Sequence, residues 1–207
     1  MEIRRARMAD VPGIAALVER FAGRGEVLPR RIEEVYQSLR EWVVAEEAGQ
    51  VVGCGALVIL WADLAEIRSL VVAPAAQGTG LGRELVSALM VQAVELELPQ
   101  VFALTRKTGF FLKLGFQVVP RDSLPRKIWK DCITCTKFVG CDEVAVVRGV
   151  DGMEGWKDGR MKLSPVLQPS NLRAKPPLGA TLQPSSHPAI HPSSEAPPWG
   201  NNGGRQP

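Results

Sequence analysis

The chain has 207 residues, 45% of them hydrophobic, with 25 Lys and Arg against 22 Asp and Glu for a formal net charge of +3. That length suits one globular domain with an appendage, and the charge is too small to point to nucleic acid. No apolar run is long enough to span a bilayer, and no apolar signal segment follows Glu2, Arg4 and Arg5, so the expectation is a cytoplasmic protein that binds neither membrane nor nucleic acid.

Glu2 to Arg5 reads as a first strand, and Asp10 with Pro12 behind it opens a helix running to about Arg20. Arg30 to Leu39 follows as a second helix, with Ile32, Val35, Tyr36 and Leu39 on one face. Trp42 to Glu46 and Val51 to Leu60 pair as a hairpin across Ala48-Gly49-Gln50. Glu66 to Val72 supplies the next strand; after Pro74 and the run from Gln77 to Arg83, a helix shows its apolar face at Leu81, Leu85, Ala88 and Leu89. Val101 to Thr105 is a strand, Gly109 to Leu114 a short helix stopped by Gly115, and Phe116 to Val119 a further strand. Apolar periodicity ends near Arg148. Pro176-Pro177, Pro184-Ser185-Ser186 and Pro197-Pro198 mark 151–207 as a tail expected to be largely disordered behind a folded domain of 1–150. His187 and His191, the only histidines, fall in that tail, where Pro188 forbids the helix that would align them on a metal.

The run Gln77-Gly78-Thr79-Gly80-Leu81-Gly82-Arg83 carries the most chemistry. Glycines let the backbone turn tightly, so that successive N–H groups point at one spot beside the positive end of the helix dipole and cradle a phosphate or pyrophosphate. A P-loop would need Lys and Ser or Thr after Gly82, which Arg83 and Glu84 follow instead; a dinucleotide fingerprint would need G-x-G-x-x-G where Gly78, Gly80 and Gly82 run G-x-G-x-G. Gln-x-x-Gly-x-Gly after a strand resembles the acetyl-CoA pyrophosphate loop of the GNAT acetyltransferases, and the order of elements from Met1 to about Val147 is that family's order. The resemblance implies an α/β (α+β) fold, a mixed central sheet with splayed strands flanked by helices, and acetyl-CoA as co-substrate. It sets the pantetheine arm beside Leu70, Val71 and Val72, and the pyrophosphate against Gln77, Gly78, Thr79, Gly80, Leu81, Gly82 and Arg83.

Acetyl transfer to an amine also needs a base and a destination for the thiol proton. The strand before the loop carries one carboxylate, Glu66, the candidate general base acting through water; the alternative is an ion pair with Arg68 or Arg106. Many GNAT enzymes protonate the leaving thiolate with a tyrosine before the Leu-Gly-Phe turn, where this chain has Gly109-Phe110-Phe111-Leu112-Lys113-Leu114-Gly115-Phe116, and its one tyrosine, Tyr36, is far off in sequence. Those phenylalanines, Thr105-Arg106-Lys107-Thr108 before them, Val27-Leu28-Pro29-Arg30-Arg31 and Leu124-Pro125-Arg126-Lys127 resemble the acetyltransferase domain of N-acetylglutamate synthase. That resemblance implies transfer to the α-amine of L-glutamate, the first step of arginine biosynthesis, with Arg30 and Arg106 holding the two carboxylates and Thr108 as a hydroxyl neighbour. Arg31 competes with Arg30 for the role. Planar guanidinium groups suit this, because they bind carboxylates in bidentate fashion. Longer enzymes of the class carry an amino-acid-kinase-like domain ahead of this one, for which the chain has no room, so the resemblance is to a short, stand-alone form.

Residues 127–143 form a cysteine-bearing segment in which Cys132 and Cys135 have the C-x-x-C spacing and Cys141 follows as a third thiol. No fourth ligand is evident, Cys54 lying in a core strand and Asp142 being a weak zinc ligand; no metal is expected, and Cys132, Cys135 and Cys141 are the candidates if one binds. Free thiols, a structural metal and redox sensing all remain open. The other functional readings are a GNAT enzyme for a different amine or amino acid and a non-catalytic acyl-CoA-binding module. A homodimer is a possible assembly that the sequence does not test.

Overall fold

The computed structural model describes residues 1–124, Cys132, Ile133, Cys135 and 139–150. All lie in the first of two units into which the chain divides, Met1–Ser164. The expected disordered tail, with His187 and His191, and most of 125–138 lie outside the described residues.

Strands β1 (Glu2–Arg5), β2 (Trp42–Glu47), β3 (Gln50–Trp61) and β4 (Leu64–Val72) make an antiparallel run. β4 is parallel to β5 (Gln100–Thr105), beyond which come β7 (Val144–Gly149) and, at the edge, β6 (Gln117–Val119), both in antiparallel pairings. The expected mixed sheet is therefore present. Trp42 to Ala45 and Gly53 to Val58 are buried along their whole length, because helices cover both faces of the sheet there. The hairpin turns at Ala48 and Gly49, both at positive φ, 50° and 78°, a geometry that matches the twist of the flanking strands.

Helices α1 (Val11–Ala22) and α2 (Ile32–Gln37) cover one face, and α3 (Leu81–Glu95) the other. α3 lies close over β3: an added Cβ at Gly53 would stand 3.0 Å from Leu85 Cδ1, and one at Gly55 3.1 Å from Leu89 Cδ1. Leu81, Leu85, Leu89 and Met90 are fully buried by that approach, each contributing about 1.5–3 kcal/mol of apolar transfer. The short α4 (Thr108–Leu112) adds Phe111 to the same core.

Two expectations needed correction. The second helix is shorter than expected: α2 spans Ile32–Gln37 and a 3₁₀ turn takes Leu39–Glu41, so that of its expected apolar face only Val35 is buried while Ile32 and Tyr36 are exposed. Asp10 stands at the start of α1 as expected, with its carboxylate turned back to accept hydrogen bonds from Arg4 and the Arg7 backbone. β7, absent from the expected elements, inserts between β5 and β6, so the strand expected at Phe116–Val119, observed as Gln117–Val119, pairs with β7.

Two irregularities shape the centre of the sheet. β4 and β5 pair only at Ala65↔Val101 and Glu66↔Phe102, while β5 goes on pairing with β7 as far as Thr105↔Val144. The two strands therefore part after Glu66. Within β4 a β-bulge sets Ser69 and Leu70 against Gly55, because Arg68 pairs with Ala56 and Val71 with Cys54. Ser69 takes φ 52°, and the side-chain alternation reverses there: Ala65 and Ile67 before the bulge, and Leu70 and Val72 after it, all pack toward α3. Val71 packs toward α1.

Candidate functional site

The fork between β4 and β5 opens a cavity of about 780 Å³, within the range of small-molecule sites. Leu70, Val71 and Val72 line it from β4; Gln77, Gly78, Gly80, Leu81, Gly82 and Arg83 line it from the glycine-rich loop and the start of α3. Thr79 does not line it, and its Oγ1 donates to the Ala76 carbonyl at 2.8 Å. Gln77 Nε2 donates to the Val72 carbonyl at 2.9 Å and so ties the loop back to the end of β4.

Gly78 and Gly80 adopt φ 79° and 95°, the left-handed region that favours glycine, and Gly80 caps α3. Its carbonyl accepts from the N–H groups of Arg83 and Glu84, whereas the amides from Gly78 to Gly82 find no acceptor among the described residues. A row of unsatisfied N–H groups at the positive end of a 15-residue helix is an anion site. Gly82 is helical, and its role is spatial: an added Cβ would lie 3.5 Å from the Phe110 ring.

Glu66 sits at the fork, where the β4–β5 ladder stops. Its Oε2 accepts from Arg68 Nε at 3.1 Å and Nη2 at 2.6 Å, and the two side chains are 5% and 15% exposed. The pairing with Arg68 weighed in the sequence is therefore formed, and both residues line the cavity. Arg30 lines it from the segment before α2, while Arg31, its rival, is 79% exposed and does not. Arg106 extends from the end of β5, donates to the Gly25 carbonyl and lies 3.9 Å from Asp142, joining the loop after α1 to the approach to β7.

Thr108 is not among the lining residues; the hydroxyl-bearing residues there are Ser69 and Thr105, and Thr105 Oγ1 accepts from the Lys107 backbone N–H at 2.9 Å. Sequence reasoning missed Thr105 and treated Arg68 only as a neutralising partner. Period-2 spacing from Glu66 on one strand was the available signal for Arg68, since residues two apart share a face. The phenylalanines stand where a tyrosine was looked for: Phe110 and Phe111 line the cavity edge-to-face, ring centroids 5.1 Å apart, and Tyr36 lies off the cavity.

Cys132, Cys135 and Cys141 all line the cavity, with Cys141 Sγ 3.7 Å from Glu143 Oε2. Among the described residues no three Cys, His, Asp or Glu side chains gather as a metal site would require. Cys54 is fully buried in the core, and burial pushes its thiol pKa well up, so it is inert.

Among the described residues, seven cationic side chains line the cavity, those of Arg30, Arg68, Arg83, Arg106, Lys107, Lys113 and Arg121, against the three carboxylates of Glu26, Glu66 and Glu143. Such a balance suits anionic ligands at both ends of the cleft.

Residues 38–118 match a family described as acetyltransferase (GNAT) domain. An uncharacterized N-acetyltransferase of Chlorobaculum tepidum is 39% identical over 146 residues, covering 70% of this chain and 94% of that protein. An amino-acid acetyltransferase of Mycobacterium tuberculosis is 45% identical over 117 residues, 55% of this chain and 67% of that one. Among solved structures, N-acetylglutamate synthase from Neisseria gonorrhoeae, complexed with coenzyme A and N-acetyl-glutamate, superposes with a TM-score of 0.62 at 31% identity. That match covers 72% of this chain and 35% of the synthase.

Proposed function

The chain belongs to the GNAT acetyltransferases, and from that premise we propose that it transfers the acetyl group of acetyl-CoA to the α-amine of L-glutamate. The observation that carries the reading is that Arg30 and Arg106, distant in sequence, both line the cavity that also holds Glu66 and the amide-rich start of α3.

Acetyl-CoA supplies the thioester. Its pyrophosphate suits the amides from Gly78 to Gly82 beside the α3 dipole, with Arg83 adjacent. Its extended arm suits the β4 edge at Leu70, Val71 and Val72, where the strand has left its neighbour and its backbone groups are not spent on the β5 ladder. Arg30 and Arg106 take the two carboxylates of the acceptor in bidentate fashion, which turns the amine toward the thioester. Glu66 draws off the amine proton through water, the amine attacks the thioester carbonyl directly in a ternary complex, and the C–S bond breaks to expel CoA as its thiolate, which takes a proton from water. N-acetylglutamate formed this way would enter arginine biosynthesis. A polyamine or aminoglycoside acceptor would want the opposite charge balance in the cleft.

The test is CoA release from acetyl-CoA with glutamate, aspartate, glutamine and a polyamine as acceptors, in the wild type and in Arg106→Ala. The expected result is glutamate-dependent release, with the glutamate KM raised on the order of tenfold or more in the variant, as loss of a charged hydrogen bond of about 1.5–3 kcal/mol requires. Release stimulated by the polyamine and not by glutamate would refute the assignment. Tight acetyl-CoA binding with no acceptor-dependent release would leave the non-catalytic module as the reading.

A further inference from the structure

We propose that Arg68 is a positioning residue for acetyl transfer, holding the Glu66 carboxylate at the fork of the sheet rather than clamping the acceptor; the proposal rests on the function proposed above.

Glu66 and Arg68 are two residues apart on β4, hence on one face, and they precede the bulge at Ser69 and Leu70 that reverses the alternation. The bulge marks how far the pair's face extends along the strand: from Leu70 onward the even-numbered side chains turn toward α3. Opposite Arg68 on β3 stands Ala56, and opposite Glu66 stands Val58. Ala56 is small, which leaves the guanidinium room to lie back along the strand toward Glu66. It does so with two donors on one oxygen, Nε and Nη2 both bonding Oε2.

Two donors from one planar group restrain the rotamer of the accepting carboxylate, as a single rotatable donor would not. With the pair mostly shielded from water, screening is weak and the restraint is strong. Arg68 lines both the main cavity and a second, smaller one of about 270 Å³ on its α2 side, whose walls include Arg30, Glu34, Ser38 and Trp42. The anchor of the Glu66 carboxylate thus lies on the wall shared with α2, while the carboxylate stands at the mouth of the splay. A buried ion pair is weak evidence for stability, since apolar residues of the same volume often serve as well. One that fixes a candidate base at the point where a substrate cleft opens has a catalytic use for that rigidity.

An acceptor clamp and a positioning residue predict different kinetics. Steady-state rates are measured on the full chain for Arg68→Met, Arg68→Lys, Glu66→Gln and the Arg68→Met/Glu66→Gln pair, varying the acceptor at saturating acetyl-CoA. Acetyl-CoA affinity is measured separately by calorimetry as the check on folding. Positioning predicts that Arg68→Met lowers kcat on the order of 10- to 100-fold with acceptor KM within about threefold of wild type, that Arg68→Lys recovers part of the loss, and that the double variant is little worse than Glu66→Gln alone. A raised acceptor KM at preserved kcat would overturn the proposal and make Arg68 a third clamp. Fully additive losses in the double variant would overturn it too, because two residues acting as a unit do not add. If Arg68→Met fails to fold, Arg68→Lys and the double variant, which removes both members of the pair, carry the same comparison. Wild-type turnover of an acceptor other than glutamate sinks the glutamate reading alone, and the Arg68 series is then run on that acceptor.

Discussion

Asp10 accepts from Arg4 Nη1 at 2.6 Å and Nη2 at 2.9 Å and from the Arg7 backbone N–H at 2.7 Å, with 9% of its side chain exposed. The Arg4 hydrogen bonds hold its pKa below the ordinary aspartate value, against the upward pull of burial, and the same guanidinium lowers that of Glu46. A carboxyl whose folded-state pKa is depressed contributes stability that is fully present above its unfolded pKa and is lost as pH falls through the folded value. Asp10→Asn should therefore destabilise the fold by about 2 kcal/mol near neutrality, and the gap to wild type should close in acid. Urea midpoints measured across that range check this; a gap that persists below the aspartate range would assign the effect to shape and not to charge. Asp10 was legible in the sequence as a helix opener, but its partner was not, since Arg4 reaches it from a strand whose position depends on pairing with β2.

At the scale of the element, the loop into α3 was the most readable part of the chain, because glycine, proline and apolar spacing act locally. Its three glycines nonetheless do different work. Gly80 needs a left-handed backbone, with open space around it, whereas Gly82 is helical and faces Phe110. Gly80→Ala should cost about 1–2 kcal/mol of stability and weaken acetyl-CoA binding, while Gly82→Ala, whose Cβ makes ordinary contact, should leave stability nearly unchanged. Thermal unfolding and acetyl-CoA titration of both variants check this, and equal losses in the two would count against it. The bulge in β4 had no such signature. Ser69 is not a residue that favours φ 52°, and its conformation follows from packing on both faces of the sheet, with Leu70 and Leu89 crowding Gly55 opposite.

For the whole molecule, β7 does the joining: it lies between β5 and β6 and brings Asp142 and Glu143, just before it, to the Arg106 side of the cavity. Val146 of β7 is fully buried, although its partner across the ladder, Val118 of the edge strand, is 54% exposed. Val146→Asp should therefore cost more than about 4 kcal/mol and abolish cooperative unfolding, while Val118→Asp should stay within about 0.5 kcal/mol of wild type. Chemical denaturation of the two variants decides; similar midpoints would mean that β7 is not a core strand.

The amino-acid sequence was enough to reach the strand–loop–helix anion cradle, the order of most elements, Glu66 as the one carboxylate on its strand, and the family. The family rests on the resemblance of its motifs, and the others on turn chemistry, side-chain period and spacing, all of which act between neighbours. The sequence was not enough to reach the point at which β4 parts from β5, the reversal of faces at Ser69, the insertion of β7, or the place of Thr105 on the cavity wall. Nor did it show that Arg30, Glu66, Arg68 and Arg106 meet in one cavity. Each of those depends on which distant segments pair and pack, and that choice is made by burial of a shared core and by ladder hydrogen bonds closed across long loops, for which no short stretch of chain carries the information.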